Sequence, residues 1–145
     1  MRIVVVTEVQ GHFKRVFDRF NRELFEALVP PFVPLHIQVF EGALPGNVFT
    51  RGFGPHIMAI PWVSRILDRH VGESEAYFTD EGEVLPPPLS FVKHTYRVQA
   101  IGPAKSAIVE DFWYRTPHKV LDLLLYPVFF LSLKLRSSVY KKFFR

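Results

Sequence analysis

Residues 85–115 read LPPPLSFVKHTYRVQAIGPAKSAIVEDFWYR. A proline run gives way to two β-rich segments, near 89–101 and 104–115, broken only at Gly102-Pro103, which predicts two strands joined by a tight turn. On the first segment Val92, His94, Tyr96 and Val98 share one face, and Lys93, Thr95, Arg97 and Gln99 share the other. The charged set prefers water, so His94 and Tyr96 face a core. On the second segment Ile108, Glu110, Phe112 and Tyr114 form the inward face, opposite Lys105, Val109, Asp111, Trp113 and Arg115. Pairing positions that sum to about 205 places His94 near Asp111 or Glu110, and Tyr96 near Val109 or Ile108.

The rest of the chain supplies more strands and three helices. Residues 2–9 are β-branched and stop at Gln10-Gly11, as a first strand would. Phe13, Val16, Phe17, Phe20, Leu24, Phe25 and Leu28 recur at spacings of mostly three and four, divided at Asn21 into two short helices and ended by Pro30-Pro31. From Pro34 the period is two, giving strands near 35–40 and 47–53. A long strand follows over 56–71, with Met58, Ile60, Trp62, Ser64 and Ile66 on one side, and Pro61 suggests an edge or a bulge there. A short strand over 75–79 runs into the turn-like Asp80-Glu81-Gly82-Glu83. After Thr116-Pro117, with Thr116 as cap and Pro117 at the first helical position, an apolar stripe predicts one long helix kinked at Pro127. That stripe comprises Val120, Leu121, Leu124, Leu125, Val128, Leu131, Leu135, Val139 and Phe143.

Composition narrows the function classes. The 145 residues are 48% hydrophobic and 22% charged, an ordinary globular mixture for one domain over 1–145 that excludes a disordered tail or a coiled coil. Fifteen Phe, five Tyr and two Trp suggest a wide apolar interior or a lined cavity. No cysteine is present, so a disulfide framework, a thiolate zinc site and a cysteine nucleophile are all excluded. The net charge of +4 is a weak nucleic-acid signal, and no nucleic-acid partner is expected. The short apolar run before Glu8 does not read as a signal peptide, and a cytoplasmic protein is expected. The six histidines show no metal-ligand spacing, no P-loop or dinucleotide fingerprint occurs, and no cofactor is expected.

Strand, two short helices, a run of antiparallel strands and a long C-terminal helix form the order of the helix-grip fold. The chain resembles that START and Bet v 1-like (SRPBCC) superfamily over essentially its whole length. The local counterparts are Leu85-Pro86-Pro87-Pro88-Leu89, then Val92-Lys93-His94-Thr95-Tyr96, then Glu110-Asp111-Phe112-Trp113-Tyr114. Val92 and Tyr96 depart from the superfamily pattern, standing where Trp and a second His are common. The resemblance implies an α+β fold, with a curved antiparallel sheet of six to seven strands around the C-terminal helix. It also implies an apolar cavity between sheet and helix that binds a hydrophobic small molecule or lipid.

The candidate ligand-binding residues are Trp62, Phe78, His94, Tyr96, Glu110, Phe112, Tyr114, Leu124, Val128 and Leu131. An inward carboxylate needs partners, so Glu110 is expected to bond His94 or Tyr96, or to have a raised pKa. A structural network tying two strands together is the plainer reading of the same residues. The rival function is a polyketide cyclase or aromatase in which His94 or Glu110 removes a proton and Tyr96 donates to the developing oxygen. Ligand access is expected at the loops near 42–46 and 82–88. Lys141, Lys142 and Arg145, with Phe129, Phe130, Phe143 and Phe144, offer transient membrane contact, although packing on the sheet would explain them as well. The sequence sets neither the ligand nor the oligomeric state.

Overall fold

The computed structural model describes residues 1–31, 33–54 and 59–145. Its elements are β1 (Arg2–Gln10), α1 (Phe13–Asp18), α2 (Arg22–Leu28), β2 (Leu35–Phe40), β3 (Val48–Phe53), β4 (Ile60–Val71), β5 (Glu75–Val84), β6 (Phe91–Gly102), β7 (Lys105–Arg115) and α3 (Lys119–Phe143). The strands make one antiparallel sheet in the order β1-β7-β6-β5-β4-β3-β2. Consecutive hairpins thus run from β2 to β7, and the first strand closes against the last. Met58, placed on one side of the long strand with Trp62 and Ser64, lies outside the described residues.

Local chemistry sets the boundaries. The His12 ring accepts from the Lys14 amide at 3.3 Å to cap α1, and the Asn21 side chain accepts from the Leu24 amide at 3.1 Å to cap α2. The two helices carry Phe13, Phe17 and Phe25 into the concave face of the sheet, and Phe20 follows from the turn between them. Pro61 is not on an edge strand, since β4 lies between β3 and β5. It pairs with Gly52 of β3, whereas pairing with β5 begins only at Val63, so its missing N–H breaks no ladder bond on that side.

Strand β5 runs to Val84 and carries Asp80 into the sheet, opposite Ile66 on one side and His94 on the other. In the β6–β7 hairpin Tyr96 lies opposite Glu110 and His94 opposite Phe112, one position from the expected register; a bulge interrupts the ladder between Ala100 and Gly102.

Helix α3 begins two residues later than expected. His118 occupies the cap position without a side-chain bond, while the Thr116 amide donates to Asp122 Oδ1 at 2.7 Å. Pro127 lies inside the helix and leaves the Leu123 carbonyl without its usual donor. The helix packs along β1, β7 and α2. Its inward residues are Leu125, Phe129, Leu133, Arg136 and Tyr140, which meet the sheet and its core clusters. Leu124, Val128 and Leu131, assigned to line the cavity, point away, with 64%, 57% and 57% of their surface exposed. The first half of α3 is apolar on both sides, so its spacing pattern fits two opposite faces equally well, and the polar bonds to the sheet decide between them.

Candidate functional site

The inner face of the sheet carries two apolar clusters with a polar row between them. The first cluster holds Val9, Phe17, Phe20, Phe25, Phe49, Ile66, Phe78, Tyr96, Ile108 and Tyr140. The second holds Ile3, Val5, Val92, Phe112, Tyr114 and Leu133, with Trp62, Leu85, Leu89, Leu125, Tyr126 and Phe129 half-buried against it. Between the two, each strand from β1 to β7 except β2 contributes one polar residue, and α3 adds two. In spatial order they are Thr7 on β1, Glu110 on β7, His94 on β6, Asp80 on β5, Ser64 on β4 and Arg51 on β3, with Arg136 and Ser137 above them. Thr7, Glu110, His94, Asp80 and Ser64 are buried.

Contacts link this row. Thr7 and Ser137 share a hydrogen bond of 2.7 Å, and Arg136 donates to Glu110 Oε1 at 2.5 Å. His94 Nε2 stands 3.3 Å from the same Glu110 oxygen, without the alignment of a hydrogen bond. The His94 ring stacks on Tyr96 at 4.0 Å between centroids. At the other end Arg51 donates to Ser64 at 3.0 Å, stands 3.9 Å from Asp80 Oδ2 and lies over the Phe49 ring at 3.8 Å.

The two buried carboxylates respond in opposite directions. Burial alone would raise the pKa of Glu110, but the charge of Arg136, followed by the contact with His94, outweighs it and holds the group at about 2. Glu110 is therefore an anion at neutral pH, rather than a carboxyl with the raised pKa that was one of the two expectations. Asp80 is raised, because burial outweighs Arg51 and His94. Burial also lowers Arg51, with Asp80 compensating in part. The Tyr96 phenol is pushed up to about 12 by burial, and Tyr140 is raised well above its ordinary range by burial and the Glu110 charge.

Among the described residues, five buried side-chain atoms on this face make no hydrogen bond: Trp62 Nε1, Asp80 Oδ2, His94 Nε2, Glu110 Oε2 and Tyr140 Oη. Each such atom costs roughly 1–3 kcal/mol unless something answers it. They belong to one connected patch. Arg51 reaches Asp80 and also lies 5.4 Å from the Trp62 ring, His94 adjoins Glu110, and the Glu110 charge acts on Tyr140.

Apart from the outward-facing Leu124, Val128 and Leu131, the sequence-assigned residues separate into three groups. Trp62, His94, Glu110 and Phe112 come together at the polar row and the second cluster. Phe78 and Tyr96 lie in the first cluster, stacked on each other at 4.9 Å and touched by Phe20 at 6.0 Å and 5.9 Å. That half of the interior is filled by rings driven in by α1 and α2. Tyr114 uses its hydroxyl to donate to the Asp122 carbonyl at 2.5 Å, tying the first turn of α3 to β7. The charged and phenolic residues missed were Arg51, Asp80, Arg136 and Tyr140. Asp80 continues the inward alternation of Ala76 and Phe78, and Arg136 lies on the three-and-four spacing of Phe129, Leu133 and Tyr140, so both left a periodic signal.

Two surface concavities lie away from this row. One of about 390 Å³ is lined by Phe91, Lys93, Thr95, Asp111 and Trp113 on the outer face of the sheet, and another of about 410 Å³ lies between α2 and β2. Leu85, Leu89, Leu125, Tyr126 and Phe129 are half-buried against the second cluster, at the rim of the inner face.

Solved structures share this architecture. A hypothetical protein from Helicobacter pylori matches with a TM-score of 0.74 at 10% identity, covering 100% of this chain and 88% of that one. The truncated norcoclaurine synthase of Thalictrum flavum matches at 0.63 and 13% identity, over 88% of this chain and 82% of the enzyme. The chain has the helix-grip fold. The di-domain ARO/CYC protein BexL, from the BE-7585A biosynthetic pathway, agrees with this at a TM-score of 0.60 and 14% identity, over 98% of this chain and 45% of that longer one. No protein-family model and no curated protein matches the chain in sequence. The helix-grip assignment thus rests on shape, as the order of elements implied. No helix among the described residues is long and apolar enough to cross a membrane.

Proposed function

We propose that this helix-grip protein binds a hydrophobic small molecule or lipid on the inner face of its sheet. The apolar body of the ligand would lie against Trp62, Phe112, Leu125 and Phe129, and its polar end would meet the row formed by Asp80, His94 and Glu110. The observation that carries this reading is the set of five buried polar atoms that make no hydrogen bond, at the border of a half-buried apolar cluster. A domain selected for stability alone would do as well with apolar residues there, since a buried ion pair is no stronger than a well-packed hydrophobic substitute. Access would come between the 85–89 segment and the first half of α3.

The row also limits the ligand. Two carboxylates face two guanidinium groups, so an added full charge would find no free counter-charge. The oxygens of Asp80 and Glu110 that make no hydrogen bond favour a neutral polar end that donates one, such as a hydroxyl or an aromatic amine.

Acid–base catalysis by Glu110 fits poorly, since a carboxylate held near pH 2 takes up no proton at neutral pH.

A fluorescence titration with 1-aminoanthracene, a neutral apolar probe with a donor amine, tests the binding reading. The expected result is saturable binding stronger than that of anthracene, weakened about tenfold by Asp80→Asn or Glu110→Gln, the effect of losing one such bond. Absence of saturable binding, or equal affinity for both probes in all three proteins, would refute it.

A further inference from the structure

The outward face of α3 has the chemistry of a membrane-docking surface. Val120, Leu123, Leu124, Val128 and Leu131 are each more than half exposed, although a helix of 25 residues normally turns such side chains inward. The helix cannot roll to bury them. Tyr114 holds the Asp122 carbonyl, Glu110 holds Arg136 and Thr7 holds Ser137, which fixes the opposite face against the sheet at three points along its length.

The charges beside this ridge select its partner. From residue 118 to the C-terminus the chain has Lys119, Lys134, Arg136, Lys141, Lys142 and Arg145 against a single acid, Asp122. Asp122 is already engaged with the Thr116 amide and Arg136 with Glu110, so the remaining charges of the helix are all positive. A second copy meeting this face about a twofold axis would set one cationic helix against another, which disfavours a dimer. An apolar ridge with lysines at both ends matches an anionic lipid surface, where the helix lies in the interfacial plane and the lysines reach the headgroups.

We infer that α3 docks the protein on anionic membranes through Val120, Leu124, Val128 and Leu131, with Lys134, Lys141 and Lys142 contacting the headgroups. This surface is on the side of the helix opposite the polar row, so docking does not depend on a ligand being bound.

Sedimentation with phosphatidylcholine vesicles, with and without phosphatidylglycerol, tests the inference. The expected result is binding to the anionic vesicles that falls with added salt. It should drop about tenfold or more in Leu124→Asp/Leu131→Asp, and likewise in Lys141→Glu/Lys142→Glu. The positions are exposed, so both variants should keep their circular dichroism spectrum and 1-aminoanthracene binding, which lets docking and ligand binding fail separately. Equal binding by wild type and both variants would overturn the inference. So would a wild-type dimer in sedimentation velocity that Leu124→Asp/Leu131→Asp dissociates without any vesicle binding.

Discussion

Arg136→Met is expected to destabilise the fold by about 3–5 kcal/mol at neutral pH, because it leaves the Glu110 carboxylate buried without its counter-charge. Glu110 is 1% exposed and cannot turn to water, whereas the Arg136 side chain keeps 22% of its surface exposed. The reverse change, Glu110→Gln, should therefore cost less, since the guanidinium can move toward solvent. Glu110→Leu/Arg136→Met should recover most of the loss, as expected when an ion pair gives way to apolar packing. Urea denaturation of the four proteins measures all three steps.

The same pair sets the acid limb of stability. The folded pKa of Glu110 lies at about 2, below the ordinary 4.5. The native state therefore holds fewer protons than the unfolded chain between these values, and its stabilisation, complete above about pH 4.5, disappears as the pH falls toward 2. Asp80 works the other way: its folded pKa is raised above 3.8, so acidification through that raised value relieves a cost of burial and opposes part of the loss. In Arg136→Met the Glu110 contribution should reverse. Burial then governs its pKa, and the deficit of the variant should be greatest at neutral pH and shrink on acidification.

Phe20→Ala should cost a further large amount, about 3–5 kcal/mol, typical of removing a ring from a packed core. Phe20 sits in the turn between α1 and α2, with its centroid 6.4 Å from Phe17, 6.2 Å from Phe25, 6.0 Å from Phe78, 5.9 Å from Tyr96 and 6.0 Å from Tyr140. One side chain thus joins both short helices to β5, β6 and α3. Phe130, which is 38% exposed on α3, serves as the control, and Phe130→Ala should change stability by only about 0.5 kcal/mol. Thermal or urea melts of the two variants make the comparison.

The pattern of side chains showed the fold but not the whole site. Strict alternation on β6 and β7 predicted that His94, Tyr96, Glu110 and Phe112 face inward, and all four are buried. Their mutual register was one place out, because alternation identifies the face of a strand without fixing which residues pair across the turn. Asp80 was hidden by its neighbours: Asp-Glu-Gly-Glu has the composition of a turn, yet β5 continues through it because both adjacent strands pair with it. Arg136 was hidden by charge, since a cation near the end of a helix ordinarily faces water. Its partner Glu110 is 26 positions away in the chain, and only the packing of α3 on β7 brings them together. The aromatic wealth of the sequence was ambiguous as well. Part of it closes the α1–α2 half of the interior with ring contacts, and part of it, Trp62, Phe112 and Phe129, borders the polar row.

Native mass spectrometry of the full chain, purified from cells without detergent and followed by solvent extraction, measures most directly whether the polar row seats a ligand. The expected result is a one-to-one adduct of small-molecule mass in the wild type, neutral and carrying a hydroxyl or amine on an apolar skeleton, and lost from Asp80→Asn/Glu110→Gln. A bare protein mass in the wild type, with an extract free of any apolar compound, would contradict the account and leave the buried row as a brace between sheet and helix.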